Sequence, residues 1–142
     1  MKKPEYTIVL ADDDLDDQAI IQDIFHTHSN AITIFNVADG EETLHLLHDL
    51  QNKNICPCLI ILDINMPKLG GKETLLQLRA DEKFRHVPIV LFSTSTYEED
   101  KQFAEDHGAM YVTKPFTYEN MEAAVKSFIN ICTHEGDKRS QA

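Results

Sequence analysis

The sequence predicts an α/β fold: a doubly wound parallel sheet of five strands, each followed by a helix. Three observations predict it. Five short apolar runs recur along the chain, each is followed by a stretch with apolar residues at helical spacing, and the joins between them are short. At 142 residues and 42% hydrophobic composition the chain can bury one ordinary core and is too short for two, so one domain is expected over residues 1–132.

Residues 6–11, YTIVLA, form the first apolar run, and Ile20, Ile21, Ile24 and Phe25 then follow at helical spacing within residues 15–28. Residues 31–37, AITIFNV, read as the second strand, and Asp39 is a cap for a helix lined by Leu44, Leu47 and Leu50. LIILD is the third strand, with Thr74, Leu75 and Leu78 on the helix behind it. PIVLFS is the fourth, followed by a helix carrying Phe103, Ala104 and His107 and closed by Gly108. AMYVT is the fifth, and the last helix carries Met121, Ala124, Val125, Phe128 and Ile131. HEGDKRSQA has no apolar period, so residues 133–142 are expected to be a flexible tail.

Composition excludes some functions. A formal charge of −11 repels phosphate backbones and anionic lipid, and the chain has no basic patch to offset it, so neither nucleic acid nor membrane is an expected partner. No apolar stretch reaches the length of a membrane span and MKKPEYTIVL lacks the features of a signal peptide, so the expected location is cytoplasmic. Cys56, Cys58 and Cys132 are odd in number and lack a second pair to complete a metal site, so they read as small buried or half-buried thiols. His45 and His48 lie one helical turn apart without an acidic or histidine partner and read as solvated helix residues.

Short helical connections make successive strands parallel through right-handed crossovers, and ligands of such sheets sit beyond the carboxyl ends of the strands. Asp12 and Asp13 follow the first strand, Asp63 ends the third, Ser93 and Thr94 end the fourth, and Lys114 ends the fifth, so all six are expected at one rim. Each has an ordinary explanation taken singly: the acids of DDDLDD suit a helix start, Ser93 a turn, and Lys114-Pro115 an exposed loop. Together, in this order, they describe a phosphoryl pocket. Clustered carboxylates need a neutralising cation unless some of them stay protonated, and Mg²⁺ suits two or three acidic oxygens, a backbone carbonyl and water. Lys114 supplies a point charge for a phosphoryl oxygen, Ser93 a hydroxyl donor, and Asp63 the carboxylate nucleophile.

With these segments in place, VLADDD, LDINMPKLGG, PIVLFST and YVTKPF, the chain closely resembles the receiver domains of two-component response regulators over roughly residues 6–132. The resemblance implies a CheY-like, flavodoxin-like (βα)5 fold with strand order 2-1-3-4-5. It implies Asp63 as the phosphorylated residue, Asp12 and Asp13 as the acidic pair for Mg²⁺, with Mn²⁺ able to substitute, and Asn65 as a backbone carbonyl ligand. Ser93 would be the switch hydroxyl, Tyr111 the switch aromatic and Lys114 the lysine of the family pattern, with a cis bond before Pro115. The implied partners are a sensor histidine kinase or phosphotransfer protein upstream, and downstream a protein partner or second copy bound by the face of the fourth helix, fifth strand and fifth helix. Length and the HVPIVLFSTS segment look most like small stand-alone receivers, including those paired with bacterial phytochrome kinases. Thr94 departs from the Ala or Gly common at its position, and its bulk would narrow access for small phosphodonors.

Rival readings are an unphosphorylated adaptor with a degenerate site, a dehalogenase-type phosphatase and a flavodoxin-like flavin binder. The phosphatase needs an acid two residues after its nucleophile, where this chain has Asn65, and would carry the nucleophile on the first strand. The flavin binder needs a phosphate-cradling first loop, and ADDDLDD would repel phosphate. The expected protein is a phosphoacceptor that takes part in its own phosphorylation and dephosphorylation, not an enzyme acting on a separate substrate.

Overall fold

All five apolar runs are strands of one sheet in the computed structural model, which describes the backbone of residues 5–140 and the side chains of residues 5–133. The elements alternate along the chain: β1 (Tyr6–Ala11), α1 (Leu15–His28), β2 (Ile32–Val37), α2 (Gly40–Asn52), β3 (Leu59–Leu62), α3 (Gly71–Ala80), β4 (Ile89–Ser93), α4 (Glu98–Asp106), β5 (Met110–Thr113) and α5 (Tyr118–Ser140). Every pairing is parallel and the strand order is β2-β1-β3-β4-β5. The order reverses at β1, where the chain steps out to β2 and then back across to β3. The rim beside β1 and β3 is therefore the topological switch point of the sheet.

Strand side chains alternate between two separate cores. Ile8, Leu10, Leu59, Ile61, Val90 and Phe92 face α1 and α5, where they meet Ile21, Ile24, Phe25, Met121, Val125 and Phe128. Val9, Ala11, Ile60, Leu62, Ile89 and Leu91 face the other way, onto Leu47, Leu50, Leu75, Leu78 and Ala104 of α2, α3 and α4. Burial on both faces explains why the central strands read as unbroken apolar runs rather than as an alternation. Ile20, expected on the buried face of α1, is 45% exposed, and Gln18 is buried in its place.

The helix ends are specified locally. Asp14 caps α1 by accepting from the Asp16 and Asp17 amides, and Asp39 caps α2 by accepting from Glu42 N at 2.8 Å, as the sequence led us to expect for Asp39. Gly108, at φ 65°, ends α4: its amide bonds the Glu105 carbonyl and the Ala109 amide bonds the Ala104 carbonyl, the paired bonds of a Schellman cap. Arg79 then binds the loose carbonyls nearby, donating to His107 O at 2.8 Å, Gly108 O at 3.0 Å and Val87 O at 2.9 Å.

Three expectations need correction. The last helix runs on to Ser140 where a flexible tail was expected from residue 133, and no proline interrupts that stretch. Residues 141–142 lie outside the described residues. The bond before Pro115 is not cis, since no described peptide bond is, in keeping with the roughly 0.5–1 kcal/mol by which trans is favoured even before proline. Cys58 and Cys132 are not free thiols but a disulfide, their Cα atoms 5.1 Å apart across 74 residues of sequence, and Cys56 is free and exposed. His45 and His48 are solvent-facing, as read. No helix among the described residues is long and apolar enough to cross a membrane.

Gly71 opens α3 with its backbone directly against the carbonyl of Asp63, leaving no space for a Cβ. Gly71→Ala should therefore destabilise the protein by about 1–3 kcal/mol through overpacking beneath the candidate site, read as a lowered midpoint in urea unfolding.

Candidate functional site

The sheet register brings the acids together. Ala11 of β1 pairs with Leu62 of β3, so Asp12 and Asp63 each lie one residue past a paired position on neighbouring strands, and the Asp63 amide bonds the Ala11 carbonyl at 2.9 Å. Ser93 pairs with Thr113, and the Lys114 amide bonds the Ser93 carbonyl at 2.8 Å, which extends the ladder by one step and delivers Lys114 to the same rim. Gln18 secures the end of β1, its side-chain amide donating to Asp12 O at 2.5 Å and Val37 O at 2.9 Å.

Lys114 is the centre of the cluster. Its Nζ lies 2.5 Å from Asp12 Oδ2, 3.0 Å from Asp17 Oδ2 and 3.3 Å from Asp63 Oδ2. Asp12, Asp63 and Lys114 are all buried, at 1%, 8% and 5% exposure, whereas Asp13 is exposed. Asp12, Asp13 and Asp63 nonetheless each offer a carboxylate oxygen within 4.8 Å of the others. Burial pushes the Asp12 carboxyl up to about 6 against the lowering effect of Lys114 and the Asp14 amide, and the charge of Asp63 adds to the rise. For Lys114, burial works to lower the ammonium, but its hydrogen bond to Asp12, the charges of Asp63 and Asp12, and its bond to Asp17 outweigh it, so the group is held above its ordinary value.

Three carboxylates thus share one ammonium, with Asp13 beside them. The surplus negative charge, the all-oxygen donor set and the close spacing of Asp12, Asp13 and Asp63 fit a hard divalent cation. Asn65 lies next to this group, its amide donating to Asp63 Oδ1 at 3.4 Å. Asp17 was missed by the sequence reading; its place three residues after the cap Asp14, on the first turn of α1, was the available signal.

Ser93 is fully buried and accepts from the Ser95 amide at 3.4 Å; no hydrogen bond joins it to Asp63 among the described residues. Thr94 is exposed beside it. Tyr111 is half-buried, and its hydroxyl donates to the Ser95 carbonyl. Ser95 Oγ in turn donates to the carboxylate of Asp100, which is buried and paired with Lys72 of α3. Lys72 and Ser95 hold the Asp100 carboxyl below its usual range. The loop after β4 is therefore tied to α3, α4 and β5 at once, a network that involves Ser93 and Tyr111 but reaches beyond the residues anticipated.

Residues 8–126 match the response regulator receiver domain family. The chain belongs to that family. It is 32% identical over 91 residues to a probable methanogenesis regulatory protein, FilR2, of Methanothrix harundinacea, covering 62% of this chain and 58% of that one. It is 28% identical over 114 residues to the response regulator Rcp1 of Synechocystis, covering 78% of each. Among solved structures, the phosphorylated cyanobacterial phytochrome response regulator RcpA superposes with a TM-score of 0.83 at 27% identity, covering 91% of this chain and 94% of that one. Against several longer curated relatives this receiver domain spans between 16% and 58% of their length. The receiver fold and strand order anticipated from the sequence are thereby shown, and the chain is a receiver of two-component systems.

Asp13 is the one acid of the triad that makes no contact with Lys114, so removing it relieves repulsion without stranding the ammonium. Asp13→Asn should raise the melting temperature in chelator by about 1–3 °C and weaken the stabilisation produced by added Mg²⁺, compared with the parent by calorimetry in both buffers.

Proposed function

We propose that this receiver accepts a phosphoryl group on Asp63 from the phosphohistidine of a sensor histidine kinase or a phosphotransfer protein. The observation that carries this reading is the Lys114 ammonium held 3.3 Å from a buried strand-end carboxylate inside an acidic triad. An Asp63 oxygen attacks phosphorus in line with the histidine nitrogen, the P–O bond forms as the P–N bond breaks, and the electron pair returns to the imidazole. Lys114 is already within reach to pair with a phosphoryl oxygen, which lets it trade its contact with Asp63 for one with the new group. Mg²⁺, or Mn²⁺ in its place, held by Asp12, Asp13, Asp63 and the Asn65 carbonyl, would supply the remaining charge neutralisation for the phosphoryl oxygens.

Signalling follows from the network after β4. Ser93 moving to the phosphoryl group would draw on the Ser95 segment to which Tyr111 is bonded, so the surface of α4, β5 and α5 would change shape and bind a protein partner or a second copy of the chain. The acidic surface supports a protein partner rather than nucleic acid or lipid, and a cytoplasmic setting. Likeness to Rcp1 and RcpA supports a phytochrome-type kinase as the class of donor.

The test is transfer from radiolabelled, autophosphorylated histidine kinases. The parent should take up label in a Mg²⁺-dependent reaction and Asp63→Asn should take up none; undiminished label in that variant would place the chemistry elsewhere. Tyr111→Ala should leave labelling of Asp63 within about threefold of the parent while reducing the phosphorylation-dependent change in association, followed by sedimentation. An equal change in parent and variant would make Tyr111 a packing residue alone.

A further inference from the structure

We propose that Cys58 and Cys132 form a reversible thiol–disulfide site, a covalent tie between the start of β3 and α5 that closes and opens with the redox state around the protein. The bridge joins residues 74 apart in sequence and sits in the core between the sheet and α5, with Cys132 fully buried and Cys58 at 7% exposure. Both redox states suit this environment. Both cysteines belong to the apolar core cluster that holds Ile24, Phe25, Leu59 and Phe128, where a reduced cysteine behaves as a small apolar side chain. The Cys58 Sγ also lies 3.4 Å from the Thr7 carbonyl, so the Cys58 thiol produced by reduction has an acceptor waiting.

Cys58 is the more accessible of the two residues, at 7% exposure against 0% for Cys132. A small thiolate such as glutathione would attack Cys58 Sγ, forming a mixed disulfide as Cys132 departs and takes up a proton; a second thiolate would then attack the glutathione sulfur and release Cys58. The net exchange converts one protein disulfide and two small thiols into two protein thiols and one small disulfide, and oxidised glutathione drives the reverse. In the cytoplasmic setting proposed above, a bridge of this kind would be transient, which makes it a sensor rather than a permanent staple.

Its position gives it a specific effect. Cys58 immediately precedes β3 and Asp63 immediately follows it, so one strand carries the redox site at one end and the candidate phosphoacceptor at the other. Opening the bridge removes a long-loop constraint and loosens α5 while leaving the acidic rim untouched. That this loosening reaches partner binding rests on the reading of α5 as part of the output surface; the redox chemistry itself does not.

The experiment equilibrates the purified full chain in glutathione buffers from reduced to oxidised, quenches by alkylation under denaturing conditions, and reads intact and fragment masses. Three alkylated cysteines are expected in the reduced protein and one, Cys56, in the oxidised protein. The oxidised form should melt about 5–15 °C higher than the reduced form, with slower amide exchange along α5. Cys132→Ser should melt near the reduced parent in every buffer, Cys56→Ser should keep the full transition, and Asp63→Asn, whatever its own melting temperature, should keep the parent's difference between oxidised and reduced forms, which separates this test from that of the phosphoacceptor. Three reactive thiols under oxidising conditions, a bridge that includes Cys56, or an unchanged melting temperature in the parent would each overturn the proposal.

Discussion

Everything at the carboxyl rim depends on placing one ammonium among four carboxylates. Lys114 is nearly inaccessible to water, as is Asp12, and neither charge is tolerable there without the other: breaking a buried pair by removing one partner typically costs about 3–5 kcal/mol. Even so, desolvation wins at Asp12, whose carboxyl is pushed up to about 6. The rim carries more negative charge than Lys114 offsets, and that deficit suits a divalent cation. A site with matched charges would be more stable and would have less reason to bind one.

The parallel sheet makes this concentration of charge possible. β1 and β3 end at the same level, Ala11 beside Leu62, while β4 and β5 run two residues further, to Ser93 and Thr113, and short loops hold Asp12, Asp63 and Lys114 one step beyond the last paired residues. Rigidity beneath the rim comes from close contacts rather than from the charges: Gly71 seats α3 on the Asp63 carbonyl, and Gln18 satisfies the carbonyls at the ends of β1 and β2. Two cores clamp the sheet from opposite faces, with Phe92 meeting Phe128 edge to face at 5.3 Å.

The loop after β4 provides the contrast. Its ties are polar and few: Ser95 to Asp100, Asp100 to Lys72, and Tyr111 to the Ser95 carbonyl. Such polar ties hold the segment by a few directed bonds rather than by packing. The acidic rim and this loop meet at Ser93, the last residue of β4.

The sequence by itself determined the strands and helices, the sheet order through a family resemblance, and the six rim residues Asp12, Asp13, Asp63, Ser93, Thr94 and Lys114, because apolar period and strand-end position are local properties. The acidic triad and its contact with Lys114 followed from that order. Tertiary structure alone decided what depends on pairs distant in sequence. Asp17 joins Lys114 across 97 residues, Cys58 finds Cys132 across 74, and Gln18 takes the buried place on α1 in preference to Ile20 because two backbone carbonyls converge there. No periodicity reports such contacts, since each is fixed by where two strands or helices come to rest against one another.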